Sequence, residues 1–449
     1  MILLLSTYEL GRQPFGLASP AAWLREAGFE VQAADLSRER LSGLPVDEAA
    51  LVAFFLPMHT ATRLALPVID RVREVNPRAH LAAYGVYAPL AAERLRLHGV
   101  RTILAGEFEQ ELVDLAHSVS RGGAPLVDAA PPAAPPRLAF KVPQRAGLPP
   151  LTEYAALQMP DGTRRTVGYT EASRGCKHLC RHCPIVPVYN GQFRVVSIDV
   201  VLADIAAQVE AGAEHITFGD PDFFNGPTHA RRLIEQFGTR FAGVSYDVTI
   251  KIEHLLRHRD LLPVLRDTRC AFVTSAVESV DDHVLAILNK GHTRADVETV
   301  VSLMQQAGVP LSPTFVAFTP WTTLDSYVDL LETIASLGLI DAVASIQLAI
   351  RLLLPSGSPL MLVPDVAGVA GPLDAAALVH QWRHPDPRVD DLQREVQRLV
   401  GRRLAAPRDD VFAAVHDMAR QAAGLQLPCP STPRAARVTV PYLTEPWYC

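Results

Sequence analysis

"RTVGYTEASRGCKHLCRHCPIV", residues 165–186, leads a β-branched, aromatic segment into a loop that carries Cys176, Cys180 and Cys183. RTVGYTEAS reads as a strand, and IDVVLADIAAQVEAG (198–212) beyond the loop reads as a helix closing on glycine. The same alternation then repeats. EHITFGD (214–220), GVSYDVTIK (243–251), CAFVTSAVE (270–278), PLSPTFVAF (310–318) and AVASIQLAI (342–350) are further candidate strands, with helical patterns between them. Six strand-plus-helix units without a turnaround predict a partial (β/α) barrel whose active groups gather at the strand carboxyl ends.

Upstream, ILLL (2–5), FEVQAA (29–34), LVAFFL (51–56), HLAAY (80–84) and RTILA (101–105) alternate with amphipathic stretches such as SPAAWLREAG (19–28). This spacing predicts a doubly wound parallel sheet, with ligands expected at its carboxyl edge. Residues 123–160 are rich in proline and form a linker or wrapping arm. The expected organisation is an α/β chain: 1–122 a Rossmann-type domain, 161–358 the partial barrel, and 359–449 a mixed helical region with an extended tail.

Composition bounds the function. Of 449 residues 49% are hydrophobic and 20% charged, with a net charge of −6 and no basic stripe, so nucleic acid is not expected as a partner. The longest apolar run, AALVAFFLPM (49–58), is too short to span a membrane, and MILLLS lacks the shape of a signal peptide. A cytoplasmic enzyme is the expectation. In that compartment clustered cysteines point to metal or catalysis rather than disulfides.

Three soft thiols at CxxxCxxC spacing can converge on one metal centre. A zinc knot needs a fourth ligand, for which His178 or His182 could serve; three unrelated surface thiols are the plainest alternative. A [4Fe–4S] cluster with one iron left open is the reading preferred here. A strand ending in CxxxCxxC at the head of a six-unit βα array resembles the radical SAM superfamily. The resemblance covers about 165–355. It implies that Cys176, Cys180 and Cys183 hold the cluster and that its open iron binds S-adenosylmethionine (SAM).

The resemblance carries further residues. FGDPDFF (218–224) occupies the place of the turn that holds the methionine amino group, with Gly219, Asp220 and Asp222; it departs from the common glycine-glycine-glutamate form. A helix N-cap and turn pair is the plainer reading of the two aspartates. Lys251 and Glu253, at the end of the third strand and on one face by period two, would meet the cofactor's carboxylate and ribose. Glu278, ending the fourth strand ahead of NKGHT (289–293), would lie near SAM. Arg351, after the sixth strand, would clamp the SAM carboxylate or serve as a plain surface arginine.

The first domain resembles that of the cobalamin-binding branch, but the Asp-x-His-x-x-Gly signature is missing, since His59 and His98 lack the preceding Asp. Cobalamin binding and a fold kept without the cofactor both remain open. The ending EPWYC resembles a radical SAM group named for a CUAEP/CCAEP tail, which includes the arsinothricin-biosynthesis enzyme. Cys449 would then be followed by selenocysteine or cysteine, and a selenocysteine codon read as stop would truncate the chain there. The resemblance implies transfer of the 3-amino-3-carboxypropyl group of SAM to trivalent arsenic, with Cys449 as a thiophilic handle, arsenite as small-molecule substrate, and a flavodoxin or ferredoxin as electron donor. A cobalamin-dependent methyltransferase is the second expectation and a non-catalytic metal sensor the third. Cys270 and Cys429 read as structural thiols.

Overall fold

The structure is a computed structural model that describes residues 1–123, 137–404, 406–425 and 440–445, together with the backbone of 127 and 128. Cys429 and Cys449 lie outside the described residues. No described helix is long and apolar enough to cross a membrane.

The first sheet comprises β1 (Ile2–Ser6), β2 (Val31–Asp35), β3 (Leu51–Phe55), β4 (His80–Tyr84), β5 (Thr102–Leu104) and β6 (Val127–Asp128). Its order is β2-β1-β3-β4-β5-β6, parallel throughout. β1 is apolar on both faces because helices cover both. Leu3 and Leu5 enter one core cluster while Ile2 and Leu4 enter the other. The strand order reverses between β1 and β3.

The second sheet contains β7 (Ala156–Gln158), β8 (Arg164–Thr170), β11 (His215–Phe218), β12 (Ser245–Thr249), β13 (Cys270–Glu278) and β14 (Leu311–Phe315). A short side ribbon pairs β9 (Ser173–Gly175) with β10 (Phe193–Val195), framing the cysteine loop. From β8 to β14 the strands are parallel neighbours in chain order, the expected curved array. β7 lies antiparallel beside β8. Beyond the array, a hairpin joins β15 (Ala370–Asp374) to β16 (Val379–Trp382), and the helices Pro387–Arg402 and Arg408–Ala422 pack their apolar faces into the barrel core. The tail returns as β17 (Tyr442–Leu443), antiparallel to β7.

Two local expectations are corrected. The sixth unit, 342–350, forms no strand: Ser345–Leu348 is a 3-10 turn, and one parallel bridge, Phe318 to Arg351, marks the sixth position. The Gln347 side-chain oxygen accepts from the Phe315 backbone N–H at 3.0 Å, where the next strand's carbonyl would stand, and the Tyr327 hydroxyl donates to the Leu348 carbonyl at 2.8 Å. A side chain thus performs the work of a strand edge. The third strand also ends earlier than expected, at Thr249; Lys251 precedes the helix Ile252–Arg257, and Glu253 sits in its first turn. The period-two argument for a common face therefore fails.

Residues 137–150, within the expected linker, form an arm on the molecule. Arg145 makes a two-point ion pair with buried Asp204 (3.1 and 3.0 Å) and donates to the Tyr169 carbonyl (2.7 Å) and to Gln13 (3.0 Å). It thereby ties the arm to both sheets.

Gln347→Ala leaves the buried Phe315 N–H without its acceptor and should cost about 1–3 kcal/mol in denaturant unfolding. An unchanged midpoint would show that this side chain does not stand in for the missing strand.

Candidate active site

The cysteine loop leaves the sheet at the carboxyl end of β8 and is held on every side. Gly219 donates its N–H to the Thr170 carbonyl (2.8 Å), and a Cβ there would collide with the Tyr169 hydroxyl, so only glycine fits. Asp220 accepts from the Ala172 N–H (2.9 Å) and the Ser173 hydroxyl, bracing the loop's entry. Burial raises the Asp220 carboxyl to about 7 in spite of these donors. Asn225 receives the Lys177 N–H at 3.1 Å and lies 3.9 Å from Cys176 Sγ. On the far side, Arg181 donates to the last carbonyls of the helix Asp282–Leu288 (Ile287 at 2.6 Å), and left-handed Asn289 donates to the Leu179 carbonyl at 3.0 Å.

Cys176 and Cys180 are buried and Cys183 is partly so. Burial pushes the Cys176 thiol up and raises Cys183 to about 12, with Cys180 and Cys176 adding to the Cys183 shift. Lys290 opposes the Cys183 shift, and Lys251 Nζ lies 3.7 Å from Cys180 Sγ. Mutually sensitive soft sulfurs with cations at hand fit an anionic thiolate-bound cluster.

The two histidines that might complete a zinc site are engaged elsewhere. His182 Nε2 stands 3.1 Å from Glu278 Oε1. His178 lies between Asp222 (3.3 Å) and Glu253 (3.5 Å). Cys176, His178 and Asp222 do offer ligand atoms within 4.8 Å of one another, a set that could hold an ion but would use one of the three cysteines. The three-thiol arrangement uses all of them and leaves both histidines with their carboxylates.

Asp222 is fully buried, and its Oδ2 also lies 2.7 Å from His254 Nδ1. Desolvation alone would raise its pKa, but the two histidines win and hold it below the ordinary range. It also caps the short turn Phe223–Asn225, so the plainer N-cap reading holds alongside the histidine pairing. Glu278 adopts a left-handed backbone (φ 71°) at an irregularity between β13 and β14. Such a conformation costs on the order of 1–3 kcal/mol in a non-glycine residue. It turns the carboxylate toward Lys290 Nζ (3.3 Å) and His182. Burial disfavours the charge, but these cations outweigh it and hold the group at about 2.

The structure thus gathers Gly219, Asp220, Asp222, Lys251, Glu253 and Glu278 around the three cysteines. Arg351 stands apart: its guanidinium pairs with Asp390 (2.6 Å), donates to the Trp382 carbonyl (2.6 Å) and covers the Trp382 ring. Sequence reading passed over the structural parts of His178, His182, Asn225, His254 and Lys290. The alternation of His and Cys in CKHLCRHC was the one available signal; His254 and Lys290 are brought in by the fold.

Residues 170–334 match the Radical SAM superfamily. The chain is 21% identical over 179 residues to the ribosomal protein uS12 methylthiotransferase of Parabacteroides distasonis, covering 38% of this chain and 41% of that protein. It is 22% identical over 325 residues to the hopanoid C-3 methylase of Methylococcus capsulatus, covering 69% and 62%. The chain thus spans less than two thirds of the length of these curated relatives. Among solved structures, the cobalamin-dependent SAM radical enzyme OxsB with aqua-cobalamin bound shares the fold, with a TM-score of 0.70, 12% identity, and 93% of this chain and 72% of that one covered.

Cys183→Ala should abolish iron and sulfide retention after anaerobic reconstitution; full cluster content in that variant would refute the ligand set. Lys290→Met leaves Glu278 charged with His182 as its remaining partner and should cost about 3–5 kcal/mol at pH 7 in cluster-free protein. Because Glu278 is depressed to about 2, its contribution is whole above the unfolded carboxyl pKa and lost as pH falls through 2. The penalty of Lys290→Met should shrink over that window in denaturant titrations, and a pH-independent penalty would contradict the pairing.

With the loop of Cys176, Cys180 and Cys183 set at the carboxyl end of the curved sheet, residues 170–334 are similar to the radical SAM superfamily, enzymes whose cofactors are a [4Fe–4S] cluster and SAM.

Proposed function

We propose that this chain cleaves SAM reductively and transfers a fragment of it to a small molecule, with the 3-amino-3-carboxypropyl group and trivalent arsenic as the specific pair. The observation that carries the cleavage reading is the buried three-thiol loop, whose neighbouring histidines are committed to Asp222 and Glu278 rather than to a fourth coordination position. Cys176, Cys180 and Cys183 would hold the cluster, which when bound supplies one electron to break a carbon–sulfur bond of the sulfonium.

The chain's own residues prepare the site. Lys290 favours the Cys183 thiolate against desolvation, and Lys251 stands 3.7 Å from the Cys180 sulfur. Asp220 and Asn225 fix the loop's entry, and Asp222 fixes His178 within it. Glu278, ionised across the neutral range, offers a carboxylate edge in a largely dry setting where a charged cosubstrate is oriented at little reorganisation cost.

The arsenic reading rests on the tail. β17 is antiparallel to β7, which is antiparallel to β8, so the tail runs in the sense of β8, toward the edge from which the cysteine loop springs. Thr444 continues that pairing with Ala156. Cys449 as a handle for a thiophilic substrate rests on the ending EPWYC. Methyl transfer is the second reading, favoured by the likeness to a hopanoid methylase. An electron donor of the flavodoxin or ferredoxin type and a cytoplasmic setting belong to either.

Anaerobic reconstitution with SAM, dithionite and arsenite, followed by mass spectrometry of the nucleoside, tests the proposal. Methylthioadenosine is expected; 5′-deoxyadenosine would overturn the aminocarboxypropyl assignment, and uncleaved SAM would overturn the activity. Cys449→Ser should keep cleavage while losing arsenic transfer by at least tenfold, and undiminished transfer would remove the tail from the substrate site.

A further inference from the structure

Open parallel sheets bind ligands outside the strand carboxyl ends, at the point where the strand order reverses. In the first sheet that point lies between β1 and β3, and a solved structure sharing the fold was determined with aqua-cobalamin bound. Here the protein itself fills the edge. Thr7, just after β1, donates its hydroxyl to the Ala61 carbonyl beyond β3 at 2.8 Å and bridges the reversal. Phe55, the last residue of β3, lies so close beneath Gly16 that a Cβ there would enter its ring. Tyr84, the last residue of β4, is fully buried, donates to the Gly16 carbonyl at 2.8 Å and packs tilted against Phe108 with centroids 4.6 Å apart.

The loops above the edge are covered as well, each by a different part of the chain. After β1, Gly11 accepts from the Ala155 N–H (2.8 Å) and lies under the side chain of Glu445, which also pairs with Arg38 at 3.5 Å. After β3, buried His59 donates to the Ala377 carbonyl at 2.6 Å, and Leu378 from the β15–β16 turn enters the first sheet's core. After β4, Leu90 lies against Gly357. After β5, buried Glu107 and Glu109 grip Arg174 at 3.0 and 2.7 Å, and Arg174 also holds Glu171 at 2.8 Å. Displacing Arg174 would strand several buried charges, a loss no neutral ring could offset.

We infer that the carboxyl edge of the first sheet is a dock for the rest of this chain and does not accommodate cobalamin, the ligand its fold leads one to expect. The residues present do not fit a corrin. The space beside the strand ends holds aromatic rings, and the loops that would clasp a ligand clasp the arm, the hairpin turn, the tail and the entry to the cysteine loop. Arg174 stands two residues before Cys176, so the edge acts as a positioning element for the sulfur loop.

The test uses the full-length, cluster-reconstituted protein. After incubation with excess hydroxocobalamin and desalting, cobalt per protein should fall below 0.1, which is about the level of nonspecific carry-over, with SAM cleavage unchanged by the corrinoid. Hydrogen exchange in the loops around Gly11, His59, Leu90 and Glu107 should be slow and identical with and without it. Near-stoichiometric cobalt, or loops that exchange freely alone and become protected by hydroxocobalamin, would overturn the inference. These readouts are independent of SAM cleavage: retained cobalt with intact cleavage defeats this inference alone, whereas absent cleavage without cobalt defeats the proposed activity alone.

Discussion

One buried guanidinium joins the two halves of this protein. Arg174 belongs to the ribbon that leads into the cysteine loop, yet two of its three carboxylate partners, Glu107 and Glu109, come from the first sheet. Burial raises Glu107 to about 7 against the pull of Arg174, and Glu109 and Glu171 add to the rise. Rings of Phe15, Phe108 and Phe140 surround the guanidinium at 4.9–5.7 Å and exclude competing water. The position of the sulfur loop is therefore set from outside the sheet that bears it.

A second layer of compensation surrounds the loop itself. Two acidic groups near the cysteines have basic partners: Asp222 has two histidines, and Glu278 has Lys290 and His182. Lys251 stands by the Cys180 sulfur instead. The left-handed backbone of Glu278 shows that part of the folding energy goes into aiming one carboxylate.

Much of this was legible in the residues. The alternation of apolar strands and amphipathic helices predicts both sheets, and β13 falls at 270–278 as read. The three cysteines identify themselves by spacing. What the sequence hides are features decided by tertiary partners. IQLAI has strand composition, yet it turns because Gln347 can satisfy the neighbouring N–H from a tighter conformation. Lys251 lies two residues past the end of its strand because the helix Ile252–Arg257 begins at once, and period-two reasoning has no means to see that. Arg351 reads equally well as a ligand clamp or a structural cation; Asp390, thirty-nine residues on, takes one of its nitrogens. The aromatic ends of β3 and β4 look like ordinary core in the sequence, and in the fold they pack with Phe108 into the first sheet's core.

The substitution at the sixth position has a bearing on how the molecule behaves in company. A parallel sheet that simply stopped at β14 would offer a row of unmet amides to any passing extended chain. Here the Gln347 amide oxygen, the Phe318–Arg351 bridge and the packed helix Pro387–Arg402 close that border with irregular backbone, which cannot serve as a template. That border of the curved sheet thereby offers no regular edge to another strand, while the barrel remains incomplete.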